Sequence, residues 1–169
     1  MKLILRVLIS LILPFMVTII VPLVIIINFN LQLVTLDSLL SAFKLIIGIL
    51  LVFIGLGFFI STNKLFIIRG RGTLAPWDPP ENLVVTGAHA HLRNPMIAAV
   101  SMILLGESLI FSGWELLLWT AFFFILNHIY IVYKEEVDLT KKFGDEYIEY
   151  RDNVPRWIPR LKPWKKINK

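Results

Sequence analysis

Two carboxylates stand side by side at Glu135-Glu136. A guanidinium stands at Arg93, inside the run Thr86-Gly-Ala-His-Ala-His-Leu-Arg-Asn-Pro-Met96. Arginine offers a planar fork of donors matched to a carboxylate or phosphate. Gly87 frees the backbone for an unusual turn or a close ligand approach. Pro95 suits the first turn of a following helix, and the free N–H groups of a helix start favour an anion. His128 precedes Glu135 by seven residues, so a regular helix carries both on nearly one face, beside Asn127. A third cluster, Phe143-Gly-Asp-Glu-Tyr-Ile-Glu-Tyr-Arg-Asp-Asn-Val-Pro-Arg-Trp-Ile-Pro159, sets aromatic faces beside Arg151 and Arg156, a combination suited to closing over a flat ring and an anionic group. Each cluster also has an ordinary reading. Arginines near a membrane mark orientation, and glutamates at a helix end are solvated. His89 and His91 fall short of the three protein ligands of a catalytic zinc site, so no metal is expected. The chain has no cysteine, which excludes disulfides, thiolate metal sites and thiol nucleophiles.

These groups must be positioned by elements that live in lipid. Of 169 residues, 57% are hydrophobic and 17% charged, against about a quarter charged in an ordinary soluble domain. Residues 7–27 carry no charge and are long enough to cross a hydrocarbon core of roughly 30 Å. They are also too long for a signal-peptide core, and no small-residue cleavage site follows. A second span is expected over residues 39–60, with Lys44 snorkelling near its start and Gly48, Gly55 and Gly57 forming a packing surface. Residues 61–95 are rich in turn formers and are read as irregular. A short third span at about 96–111 and a fourth at 114–132 are separated only by Ser112 and Gly113, which predicts a tight antiparallel hairpin with Glu107 near its far end. Residues 134–151 either continue the fourth helix or begin another, with Phe143, Tyr147 and Tyr150 giving an apolar side. Pro155 and Pro159 end regular helix. Trp157 and Trp164, with Lys162, Lys165 and Lys166, suit a membrane interface.

Ten of the 17 Lys and Arg residues follow the fourth span. The hairpin turn carries none. The net charge of +5 therefore reads as membrane orientation, with both termini and residues 61–95 cytoplasmic, and not as nucleic-acid binding. The expected fold is all-α, a polytopic membrane helical bundle of about four transmembrane helices with a cytoplasmic C-terminal segment. Residues 1–60 form N-terminal transmembrane helices and residues 61–169 the functional core. Nothing in the sequence fixes an oligomeric state.

In order, the clusters resemble the isoprenylcysteine carboxyl methyltransferase family, including its prokaryotic members, and the related phospholipid methyltransferases. The resemblance rests on Gly72-Thr-Leu-Ala-Pro-Trp-Asp-Pro-Pro80, Leu83-Val-Val-Thr-Gly87 and Arg93-Asn-Pro-Met96. It continues through Glu135-Glu136, Phe143-Gly144, Tyr147, Tyr150 and Val154-Pro-Arg-Trp-Ile-Pro159. It implies an S-adenosylmethionine-dependent enzyme of a prokaryotic cytoplasmic membrane, methylating a lipid-like or prenylated small acceptor. By the same resemblance, Arg93, Glu135 and Glu136 are the catalytic candidates. Gly87, His89, His91, Asn94, Pro95, Tyr147 and Arg151 join them around the cofactor, and Trp77, Arg156 and Trp157 meet the substrate. The chain departs from the family at Gly87-Ala-His-Ala-His91, where members read Gly-Pro-Tyr and a basic residue. It also has Ile97 where a tyrosine is common. Both departures bear on the acceptor. Two other readings stay open at this point: a sterol-type membrane reductase using NADPH, and a non-catalytic membrane binding protein that kept the fold.

Overall fold

The computed structural model describes residues 3–70 and 80–165, with side chains from Leu8 onward. The described residues are all helix and loop. α1 (Leu3–Phe15) and α2 (Val21–Phe29) make one continuous apolar rod through a wide turn at Met16–Ile20. The turn has a local cause. The Val21 N–H reaches back five residues to the Met16 carbonyl. The next donor in that pattern would be Pro22, which has none. The Val17 carbonyl so released accepts the indole N–H of Trp119 at 3.2 Å, tying the first span to α5 (Trp114–Tyr130). Asn30 ends the rod in a left-handed conformation, φ 52°.

α3 (Leu39–Leu65) starts at Ser38, whose hydroxyl accepts the Ser41 N–H at 3.1 Å, a cap that satisfies one of the free helix-start donors. The helix does not stop at residue 60. It continues through a wide turn at Phe66–Gly70, so residues 61–70, expected to be irregular, are helical. The prolines and glycines behind that expectation lie mostly beyond this point. Residues 61–70 themselves contain just one helix breaker, the terminal Gly70.

α4 (Pro95–Ile110) is the best-buried helix, with Ala99, Val100, Ile103, Leu104, Gly106 and Ser108 covered. It runs antiparallel to α3 at close range. A Cβ on Gly48 would come within 2.8 Å of the Gly106 carbonyl, and one on Gly55 within 2.9 Å of the Ala99 carbonyl. Small residues thus let the two backbones touch. Gly57 does not share in this, because nothing lies within 4 Å of where its Cβ would stand. It sits two residues from Gly55 and so on another face.

A turn at residues 111–113, with Ser112 at φ 46°, leads into α5. Glu107 lies near this hairpin end as expected. One carboxylate oxygen of Glu107 and one of Glu115 are buried there without a partner among the described residues. α5 passes through a third wide turn at Ile131–Glu135 into α6 (Glu136–Phe143), and α7 (Asp145–Asn153) follows.

Among the described residues, three helices are long and apolar enough to cross a membrane: Leu8–Phe29, Leu39–Gly70 and Trp114–Phe143. α4, with 16 residues, is about 24 Å long, shorter than the roughly 30 Å core. Leu39, Phe53 and Leu118 stand on outer faces with more than half of their surface open, the pattern of a protein solvated by lipid.

Beyond the spans, α6, α7 and the tail form a small cap. Gly144, at φ 56° and ψ −132°, splits α6 from α7 in a conformation that only glycine adopts readily. Residues 134–151 therefore both continue the fourth span and begin a new helix. Tyr147, Tyr150, Val154 and Trp164 make the cap's core, with Leu83, Val85, Leu139 and Phe143 packed on it. Trp164 is accordingly not an interface anchor. It is buried, with its ring 5.7 Å from that of Tyr150, because the tail folds back instead of lying along the membrane.

Candidate functional site

The site forms where the start of α4, the α5–α6 junction and the returning tail meet. The tail is laced along residues 90–93 by three backbone bonds. The Arg93 N–H donates to the Pro155 carbonyl, the Arg160 N–H to the His91 carbonyl, and the Trp164 N–H to the Ala90 carbonyl, at 2.9–3.0 Å. Two side chains reinforce the lacing. The Tyr150 hydroxyl donates to the His89 carbonyl at 2.7 Å. His91 Nδ1 lies 2.7 Å from the Arg160 carbonyl, and since a carbonyl only accepts, that nitrogen carries the proton.

This lacing sets two arginines on one carboxylate. Arg156 binds Glu136 through both prongs, Nε to Oε1 at 2.8 Å and Nη2 to Oε2 at 2.9 Å. Arg93 Nη1 reaches the same Oε1 at 2.8 Å. Only 12% of the Glu136 side chain and 11% of the Arg93 side chain remain exposed. Such a shielded pair is costly to break from one side. Two arginines on one carboxylate leave one guanidinium charge to spare, with the Glu135 carboxylate next in the chain to balance it. Tyr147 lies fully buried beside them. Burial pushes its phenol up to about 12, and the nearby Glu136 charge adds to this while Arg93 opposes it. It therefore remains a neutral donor. Arg156 is held above its ordinary value, chiefly by its hydrogen bond to Glu136.

Several groups at the site remain unspent. Arg93 Nε and Asn94 Nδ2 are buried with no partner among the described residues. Glu135 is half-buried and makes no hydrogen bond or ion pair with any described residue. Straight-helix arithmetic puts Glu135 on the His128 face, but the wide turn at Ile131–Glu135 intervenes. There the Glu136 N–H bonds five residues back to the Ile131 carbonyl, so the register of the helix changes before the glutamates. His128 meets the tail instead. The Trp157 indole N–H donates to His128 Nδ1 at 2.9 Å, and Phe124 packs on Trp157 at 4.7 Å between ring centres.

The predicted residues thus divide. Arg93, Asn94, Pro95, Glu135, Glu136, Tyr147 and Arg156 converge on this end of the bundle, with Trp157 on its flank. Gly87, at φ 60°, opens the short helical turn Gly87–Ala90 against Leu65. His91 serves to hold the tail. His89 is buried, its ring stacked on Phe66 at 6.1 Å, and burial lowers its pKa to about 4. Arg151 is not brought in. It is exposed and pairs with its neighbour Asp152 at 3.3 Å. Trp77 lies outside the described residues. Sequence reasoning passed over Arg160 and the structural part played by Tyr150. For Tyr150 the helical spacing with Tyr147 was a usable signal, whereas Arg160 looked like any basic residue of the tail.

The sequence profile of the phospholipid methyltransferase family matches residues 43–146. The chain belongs to that family. No curated protein matches it significantly. The matched stretch runs from α3 through the start of α7, so it includes Arg93, Asn94, Glu135 and Glu136. The tail that supplies Arg156 and Trp157 follows it. With three apolar helices long enough to span, this phospholipid methyltransferase family member is an integral membrane protein, and the reductase alternative gains no comparable support.

Proposed function

We propose that this protein transfers a methyl group from S-adenosylmethionine to the head group of a lipid-like acceptor at the cytoplasmic membrane face. The observation that carries the reading is the set of unspent groups beside the Arg93–Glu136–Arg156 cluster. Arg93 Nε and Asn94 Nδ2 are buried donors without partners, suited to the carboxylate of an amino-acid moiety. Glu135 is an unpaired acceptor for an ammonium or a hydroxyl. Burying such groups without a ligand is costly, so the donor set fits the cofactor. When bound, the cofactor supplies a methyl carbon that is already electrophilic.

The protein's own task is then to hold a nucleophile in line and keep water away. An amine acceptor must also lose a proton. Glu136 is occupied by two guanidinium groups. The Trp157 N–H occupies the His128 Nδ1 lone pair, whereas His91, with its Nδ1–H on the Arg160 carbonyl, keeps the Nε2 lone pair. Glu135 is the carboxylate left to take the proton. The acceptor's chain has a route from the bilayer along an apolar groove of about 310 Å³ between α4 and α5, lined by residues such as Met102, Leu105, Leu117 and Phe124. Phe124 in turn packs on Trp157. A prenylated carboxylate would follow the same route and need no base.

Transfer of labelled methyl groups to phosphatidylethanolamine in vesicles tests this. The wild-type protein is expected to label the lipid. Glu135→Gln should lower kcat at saturating cofactor about 100-fold, in the range of lost general-base catalysis, beyond any weakening of cofactor binding. Equal turnover in Glu135→Gln would remove Glu135 from the chemistry. Labelling of a prenylcysteine and not of the amine would move the acceptor class.

A further inference from the structure

A second groove, which shares no lining residue with the Glu136 cluster, lies between the first span and the end of α3. It measures about 440 Å³ and is walled by Leu11, Leu56, Phe59, Ile60, Ile67 and Ile68, with Asn63 and Lys64 also on its lining. Neither polar residue is explained by the fold. Asn63 is only 8% exposed. Its side-chain oxygen is buried without a hydrogen-bond partner among the described residues. A buried amide oxygen left unpaired is costly in an apolar setting and calls for a donor from outside the chain. Lys64 is exposed and has no ion-pair or hydrogen-bond partner among the described residues.

The depth is right for a lipid head group. The apolar rod Leu39–Gly70 has 32 residues, about 48 Å of helix. It exceeds the roughly 30 Å hydrocarbon core, so its last turns, which carry Asn63 and Lys64, reach the head-group level. A cation and an amide at the polar end of an apolar trough match a phosphate with a donor beside it and an acyl chain below.

We infer that this groove is a binding site for a structural phospholipid, separate from the methyl-transfer site, with the acyl chain against Leu56, Phe59 and Ile60, the phosphate on Lys64 and a head-group donor on Asn63. The inference does not depend on the methyltransferase reading. Phosphatidylglycerol is the suitable probe, because it has a phosphate and hydroxyl donors but no amine to methylate.

Native mass spectrometry of the full-length protein, released from detergent with added phosphatidylglycerol, reads the bound lipid directly. The wild-type chain is expected to retain one phosphatidylglycerol, and diacylglycerol, which lacks the phosphate, should not replace it. Lys64→Glu and Asn63→Leu should each lower retention about fivefold or more, the effect of roughly 1 kcal/mol at one polar contact. Lys64 is exposed, so its variant folds even if the Asn63 variant does not. Arg93→Ala should leave retention unchanged. Undiminished retention in Lys64→Glu would overturn the proposal. So would diacylglycerol binding as well as phosphatidylglycerol. Loss of the lipid in Arg93→Ala instead would assign it to the methyl-transfer site and equally overturn the proposal.

Discussion

Glu136 holds the site together at the level of single side chains. It accepts three charged hydrogen bonds from two arginines that come from opposite directions, one from the start of α4 and one from the tail. Glu136→Gln should therefore cost about 3 kcal/mol, the usual scale for breaking a shielded ion pair from one side. The tail should also become sensitive to protease at residues 154–165 before the spans unfold. Tail cleavage no faster than in the wild type would contradict this. His89 carries a pH dependence of its own. Its folded pKa of about 4 lies below the ordinary 6.5 because burial disfavours the cation. Below pH 6.5 the unfolded chain takes up a proton that the folded one refuses. The stabilisation is thus complete above pH 6.5 and is lost as pH falls toward about 4. At pH 5 the loss should be roughly 2 kcal/mol. Unfolding midpoints at pH 7 and pH 5 check it, and His89→Phe, which keeps a ring against Phe66, should flatten that part of the profile.

Helix α4 is held by its neighbours more than by its length, and glycines set how near they come. Gly55→Leu would drive a side chain into the Ala99 carbonyl, already within 2.9 Å of a Cβ, and into Ile103. It should destabilise the bundle by about 1–3 kcal/mol, the range of overpacked cores. Gly57→Leu points into open space and should be neutral. Thermal unfolding of the two variants in one detergent separates them, and equal losses would contradict the α3–α4 packing. The spans and this packing were legible because lipid demands long apolar runs and close approach demands small residues. The ion-pair cluster was legible only through family resemblance, since nothing local links Arg93 to Glu136, 43 residues away. The three wide turns were not legible. Only the one at Met16–Ile20 has a sequence cause on hand, the missing donor of Pro22. For the turn at Ile131–Glu135, which separates His128 from the glutamates in register, we see no local cause. The exit of Trp164 from the interface was hidden likewise, because it depends on backbone bonds between residues 90–93 and the tail.

At the scale of the whole molecule, the short α4 decides the topology. If α4 and α5 both cross the membrane, the cap lies on one side with residues 80–95, as the convergence of Arg93, Glu136 and Arg156 requires. The absence of cysteine makes the count easy to take. Single cysteines at exposed Glu81 and Lys165 should react with an impermeant thiol reagent from the same, cytoplasmic side, and one at Leu36 from the opposite side. Reaction of Glu81→Cys and Lys165→Cys from opposite sides would mean that only three helices span.

On the proposed function, the unspent donors of Arg93 and Asn94, with Glu135 nearby on the bundle end, form a cofactor site. Titration calorimetry of the full-length protein in lipid nanodiscs, with S-adenosylmethionine and with NADPH, measures it most directly. Saturable binding of S-adenosylmethionine alone is expected, and about 100-fold weaker binding in Arg93→Ala, the order of a lost charged hydrogen bond with its buried partners left unpaired. No binding of S-adenosylmethionine by folded wild-type protein, or binding that Arg93→Ala leaves unchanged, would contradict the account.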